Sequence, residues 1–197
     1  MHHKLTINLI SLVCFLFLPC TAFAGFQVQK KVQDFVIDGT NFEQLMAQIE
    51  QHAPQTQIPE HRGKWHGWMV NWDYHFRVTS ISCAIENFNI HVTTEVPNAI
   101  WKGYNQAPDD LKKLWDQYQY RITQYQQSHI DLAIETGKEV EKQLIKSGSS
   151  ANCPLLTNEE NRKTEHIIEK FKKKHQKYDE QTNYGATILS DNKSTTN

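Results

Sequence analysis

Tyr125 and His129 stand four residues apart, the spacing at which two side chains on one helix face can reach a single metal ion. Histidines at both positions with a glutamate after the first would hold zinc and supply a general base to its bound water. Here the five residues read Tyr125-Gln126-Gln127-Ser128-His129, so only the last of those three groups is present. On these residues alone, a single histidine on an apolar stripe reads as a hydrogen-bonded core residue. His61, His66, His75 and His91 could form a second metal site, but the alternation of their segment places only His66 on the tryptophan face. Trp65, Trp68, Trp72 and Trp101 could be a stacking platform for a peptide or sugar, although packing against helices is the plainer reading. The chain offers no Ser/His/Asp or Cys/His arrangement and no glycine-rich phosphate loop.

The elements that must position these groups follow from periodicity. Residues 26–37 are β-prone and close on Asp38-Gly39; Thr40 or Asn41 then caps a short helix bearing Phe42, Leu45, Met46 and Ile49 on one face. Trp68, Val70, Trp72, Tyr74, Phe76 and Val78 alternate with mostly polar partners, the pattern of a half-buried strand. One or two further strands run from Ser82 to about Pro97. From Pro108 onward Leu111, Trp115, Tyr118, Ile122, Tyr125, His129, Leu132, Thr136, Val140 and Leu144 recur in threes and fours. One unbroken helix of that length would reach roughly 58 Å, more than a domain of this size spans, so a bend, a break or a projecting end is expected. Thr157-Asn158-Glu159-Glu160 reads as a capping-box start for a last helix. With no strand–helix–strand rhythm, an α+β fold with a small antiparallel sheet is expected.

Composition bounds the setting. Lys+Arg 21 against Asp+Glu 22 gives a net charge of −1, and no basic field points to nucleic acid. Lys4, the apolar run from Leu9 to Leu18 and Ala22-Phe23-Ala24 have the three parts of a secretory signal, so residues 1–24 are expected to be removed on export. The run is too short to span a membrane. Of the four cysteines, Cys14 and Cys20 fall in that leader; Cys83 and Cys153 are then expected to pair in an oxidising compartment. Such a bridge is worth about 4 kcal/mol in the chain-entropy account. The remainder reads as a single domain over residues 25–186, followed by a polar tail, residues 187–197, expected to be disordered.

Several segments in order carry a resemblance. They are Val36-Ile37-Asp38-Gly39-Thr40, Lys64-Trp65-His66-Gly67-Trp68 with Trp72, Cys83, Pro97 with Trp101, His129-Ile130-Asp131-Leu132-Ala133, Cys153, and Tyr178-Asp179-Glu180-Gln181-Thr182-Asn183-Tyr184-Gly185. Together they resemble the family of predicted bacterial secreted zinc-dependent proteases, long catalogued as a domain of unknown function. The resemblance implies a zincin-like long helix with His-Glu-x-Gly-His and a closing Tyr-Asp-x-x-Thr-x-His-Gly, whose histidine looks like the third zinc ligand. Carried over, the ligand positions are Tyr125, His129 and Tyr184, and the base position is Gln126. Glutamine has no carboxylate with which to take a proton from water. Two phenols with pKa near 10 would both have to ionise to hold zinc.

The resemblance therefore implies an exported pseudo-protease, periplasmic or secreted, with zinc in the family but no metal or cofactor expected here. It would act as a binding protein for an unknown protein or peptide partner. The alternative is an active peptidase with a Tyr/His/Tyr metal site. The Lys172-Lys173-Lys174 run could touch an acidic or anionic surface, with a solvated helix face as the plainer reading.

Overall fold

A computed structural model describes residues 25–61, 64 and 66–188. The expected leader, Trp65 and residues 189–197 of the expected tail lie outside the described residues. The order is β1 (Gly25–Ile37), α1 (Phe42–His52), a 3-10 turn (Pro59–His61), β2 (Gly67–Val78), β3 (Cys83–Trp101), a second 3-10 turn (Tyr104–Gln106), α2 (Asp109–Ile145), β4 (Ser149–Ser150) and α3 (Cys153–Thr182). The fold is α+β, a small sheet packed against a long helix and a C-terminal helix and closed by the Cys83–Cys153 disulfide.

The sheet is mixed rather than wholly antiparallel. β2 and β3 form an antiparallel hairpin, but β1 runs parallel to β3 from Gly25↔Asn89 to Ile37↔Trp101, giving the order β1-β3-β2. Parallel neighbours need a long crossover. The chain supplies it with α1, the loop after it and β2, which a search for strand–helix–strand rhythm does not register. β3 is one strand of 19 residues. Pro97 sits inside it, yet β2 reaches only to Gly67↔Glu95, so beyond that point one flank of β3 has no strand partner among the described residues. A proline without an N–H is tolerated on such an open flank.

Helix α2 is unbroken over 37 residues, about 55 Å at 1.5 Å per residue. Two apolar clusters flank its middle. Toward its C-terminus Ala133, Val140 and Leu144 pack on Trp68, Val70, Phe88, Ile90 and Val92 of the sheet. Toward its N-terminus Leu111 and Trp115 meet Ile37, Leu45, Ile49 and Trp101. Gly137 sets the close approach of helix and sheet: a β-carbon there would lie 2.6 Å from Val92 Cγ2 and 3.1 Å from the Phe26 ring. α3 begins four residues before the expected capping box. Asn152 is its N-cap, accepting from Leu155 N at 3.0 Å, and Pro154 fits the first turn, where its missing N–H costs nothing.

A buried carboxylate ties the loop after α1 to the sheet. Glu95, 3% exposed, accepts from Thr56 Oγ1 at 2.6 Å, Gln57 N at 2.7 Å and Lys31 Nζ at 3.2 Å. Burial alone would raise its pKa, but the bonds from Thr56, Gln57 and Lys31 outweigh burial and hold it below the ordinary value.

Candidate functional site

Between the two apolar clusters the α2 stripe turns polar, and α3 crosses it there. Tyr125 and His129 on α2 face His175 and Asp179 on α3, a second pair four residues apart. His66, on the lead-in to β2, completes the group, its ring 4.4 Å from that of His129 and 5.5 Å from that of Tyr125. Packing orients the rings. Trp68 stacks on His175 at 4.5 Å and 14°, and His175 stacks on His129 at 5.0 Å and 12°. Tyr178 stacks on Tyr125 from the outer side at 5.8 Å.

Two hydrogen bonds link these side chains, and two buried nitrogens are left without one. His129 Nδ1 and His175 Nδ1 share a hydrogen bond of 2.7 Å. The Tyr125 hydroxyl donates a short hydrogen bond to Asp179 Oδ1. His129 Nε2 lies 2.8 Å from the same carboxylate oxygen but without hydrogen-bond alignment, and it remains a buried nitrogen with no partner, as does His175 Nε2. Burial, followed by the nearby His129, depresses the pKa of His66 to about 4 and that of His175 to about 3. Both are therefore neutral imidazoles at pH 7. Burial opposes ionisation of Asp179, but His129 and the Tyr125 hydroxyl prevail and hold its pKa below the ordinary value. For Tyr125, burial comes first and the bond to Asp179 second, and both push the phenol pKa upward.

Gln126 points elsewhere. Its amide donates to the Pro97 carbonyl at 2.9 Å, and one helical pair of turns earlier Gln119 donates to the Ala99 carbonyl at 3.1 Å. Both acceptors lie on the part of β3 beyond its pairing with β2. The group opens on a cavity of about 850 Å³ whose walls include Phe35, Trp68, Tyr118, Ile122, Asn98 and Lys172. Tyr184 also lines it but is 69% exposed. The turn carrying it is left-handed at three successive residues, Asn183, Tyr184 and Gly185, with φ of 45°, 54° and 87°. Gly185 is required there: a β-carbon would come 3.0 Å from the Tyr125 ring.

The structure thus gathers Tyr125, His129 and Tyr184 around one cavity, with Gln126 at its edge bonded to β3. His66 joins them. His75 is exposed, and His91 faces Asp73 at 3.6 Å on the sheet surface. Trp68 and Trp101 are core residues. Lys172 and Lys174 pair with Glu169 at 2.6 Å and Glu135 at 2.8 Å within the chain. Sequence reasoning gave no role to His175 or Asp179. Their four-residue spacing on a helix was the available signal, matching that of Tyr125 and His129.

Zinc, which the family resemblance implies, can be tested against this donor set. Tyr125 does not fit as a ligand, because its phenol proton is committed to Asp179 and its pKa is raised. Tyr184 is largely exposed. His66, His129 and Asp179 do fit: each offers one ligand atom, all within 4.8 Å of one another. Two are imidazoles and one a carboxylate, donors that suit zinc and similar divalent ions.

No curated protein and no solved structure matches the chain. The profile described as "Bacterial protein of unknown function (DUF922)" matches residues 32–185, from the middle of β1 to the turn that seats Gly185 on Tyr125. With that span including both helices of the buried group, β2, β3 and the second half of β1, the chain belongs to the DUF922 family of bacterial proteins of unknown function.

Proposed function

We propose that this protein is an exported, non-hydrolytic relative of zincin-type peptidases, which uses its cavity to bind a peptide or protein partner in the periplasm or outside the cell. The observation that carries the reading is Gln126. At the position where a glutamate would activate water, the side chain is an amide, and its N–H is spent on the Pro97 carbonyl at 2.9 Å. A carboxylate there would face that carbonyl and repel it. The substitution therefore removes the base and adds a structural bond. The cavity retains a volume of about 850 Å³ with aromatic walls and polar rims, features suited to capturing a side chain or a short extended segment. A peptidase built on Tyr125, His129 and Tyr184 as ligands is the weaker reading, for the reasons of proton commitment and exposure given above.

The test is a cleavage assay on the untagged chain, purified after export, with a mixture of quenched fluorescent peptides and added zinc. No cleavage is expected. Chelator-sensitive cleavage that disappears in His129→Ala would overturn the proposal.

A further inference from the structure

We propose that His66, His129 and Asp179 form a binding site for one divalent transition-metal ion of the zinc, cobalt or nickel class, with His175 and Tyr125 as its outer supports. This ligand set shares only His129 with the positions implied by the family motif. It stands independently of whether the protein hydrolyses anything.

Three observations carry it. The first is convergence: three side chains from the β2 lead-in, α2 and α3 bring their ligand atoms within 4.8 Å of one another. Donors about 2.1 Å from one ion lie at most about 4.2 Å apart, so a contraction of under about 1 Å closes the shell. The second is an orphaned buried atom. His129, with a side-chain exposure of 4%, places Nε2 2.8 Å from an Asp179 oxygen but out of hydrogen-bond alignment, so that nitrogen has no hydrogen-bond partner. A buried polar atom normally finds one, and a metal ion bridging imidazole and carboxylate would satisfy both.

The third is the supporting shell. A metal-bound imidazole is usually fixed by a hydrogen bond at its other nitrogen, and a ligating carboxylate by a donor of its own. His129 has that bond from Nδ1 to His175 Nδ1 at 2.7 Å, and Asp179 has the Tyr125 hydroxyl. His175 is in turn held by its stack on Trp68.

Titration of the chelator-treated, untagged protein with Co²⁺, followed by visible absorption and calorimetry, tests the assignment. One equivalent should bind and give the d–d bands of a low-coordinate N/O site. X-ray absorption at the bound metal should count two imidazoles. His66→Gln and Asp179→Asn should each weaken binding by more than about 100-fold, and Tyr125→Phe by about 10–100-fold, the range typical of outer-shell partners. Tyr184→Phe should leave binding unchanged. Circular dichroism on every variant identifies any that fail to fold, and the imidazole count on the wild type needs no variant. Absence of stoichiometric binding, an imidazole count below two, or binding that survives in folded His66→Gln would each overturn the assignment. Because binding is read without substrate, a failed metal titration and an observed cleavage activity sink different claims.

Discussion

Glu95 shows how a single charged group can be buried safely and what that costs in acid. Its carboxylate accepts from a hydroxyl, a backbone amide and an ammonium, so ionisation is favoured in the folded chain despite burial. A folded-state pKa below the unfolded one adds stability that is complete above the unfolded value and is lost as pH falls through the folded one. Wild-type stability should therefore fall on acidification below about pH 4.5, the ordinary carboxylate value. Glu95→Gln should lower stability by about 1–3 kcal/mol at pH 7, with the deficit shrinking as pH falls. Urea unfolding at pH 7 and pH 4 measures both. A deficit that grows in acid would refute this account of the carboxylate.

At the scale of elements, α2 does most of the positioning, and Gly137 sets its distance from the sheet. Alanine would gain about 1 kcal/mol in helix propensity. Its β-carbon, however, would meet Val92 Cγ2 at 2.6 Å, and overpacking of that kind typically costs about 1–3 kcal/mol. Gly137→Ala should therefore lower the melting temperature by a few degrees rather than raise it. It should also weaken cobalt binding, because His129 lies two turns away on the same helix. The α2 stripe was legible in the sequence because its apolar spacing contrasts with polar neighbours over ten turns. α3 was less so. His175 and Asp179 sit among lysines, glutamines and glutamates, and it is long-range packing, on α2 and for His175 also on Trp68, that buries the one and partly buries the other. The early start of α3 was hidden by Pro154, a residue that marks loops as readily as first turns. The parallel pairing of β1 was hidden for a different reason: strand partnership is set by contacts more than sixty residues apart, and local alternation does not encode direction.

At the scale of the molecule, a covalent tie joins sheet and last helix. Cys83 opens β3 and Cys153 opens α3, with the two-residue β4 pairing against β3 beside them. A sequence separation of 70 makes the closed loop long, and the bridge removes about 4 kcal/mol worth of unfolded-state freedom in the chain-entropy account. Replacing both cysteines by serine should lower unfolding stability in urea by about 2–4 kcal/mol, and dithiothreitol should have little further effect on that variant. A loss below about 1 kcal/mol would mean that β4 and the α2–α3 packing already restrain the chain. The pairing itself was legible from the cysteine count, whereas its mechanical place, where sheet and last helix begin, was not.

The two glutamine caps on β3 reach beyond the question of catalysis. A strand flank with free carbonyls is a template onto which another polypeptide can add, copy after copy. With β2 ending at Gly67, the stretch of β3 that follows is such a flank, and Gln119 and Gln126 occupy its acceptors at Ala99 and Pro97 while Pro97 offers no donor. Gln119 and Gln126 thus cover an open sheet edge from within, guarding it against self-assembly into fibres.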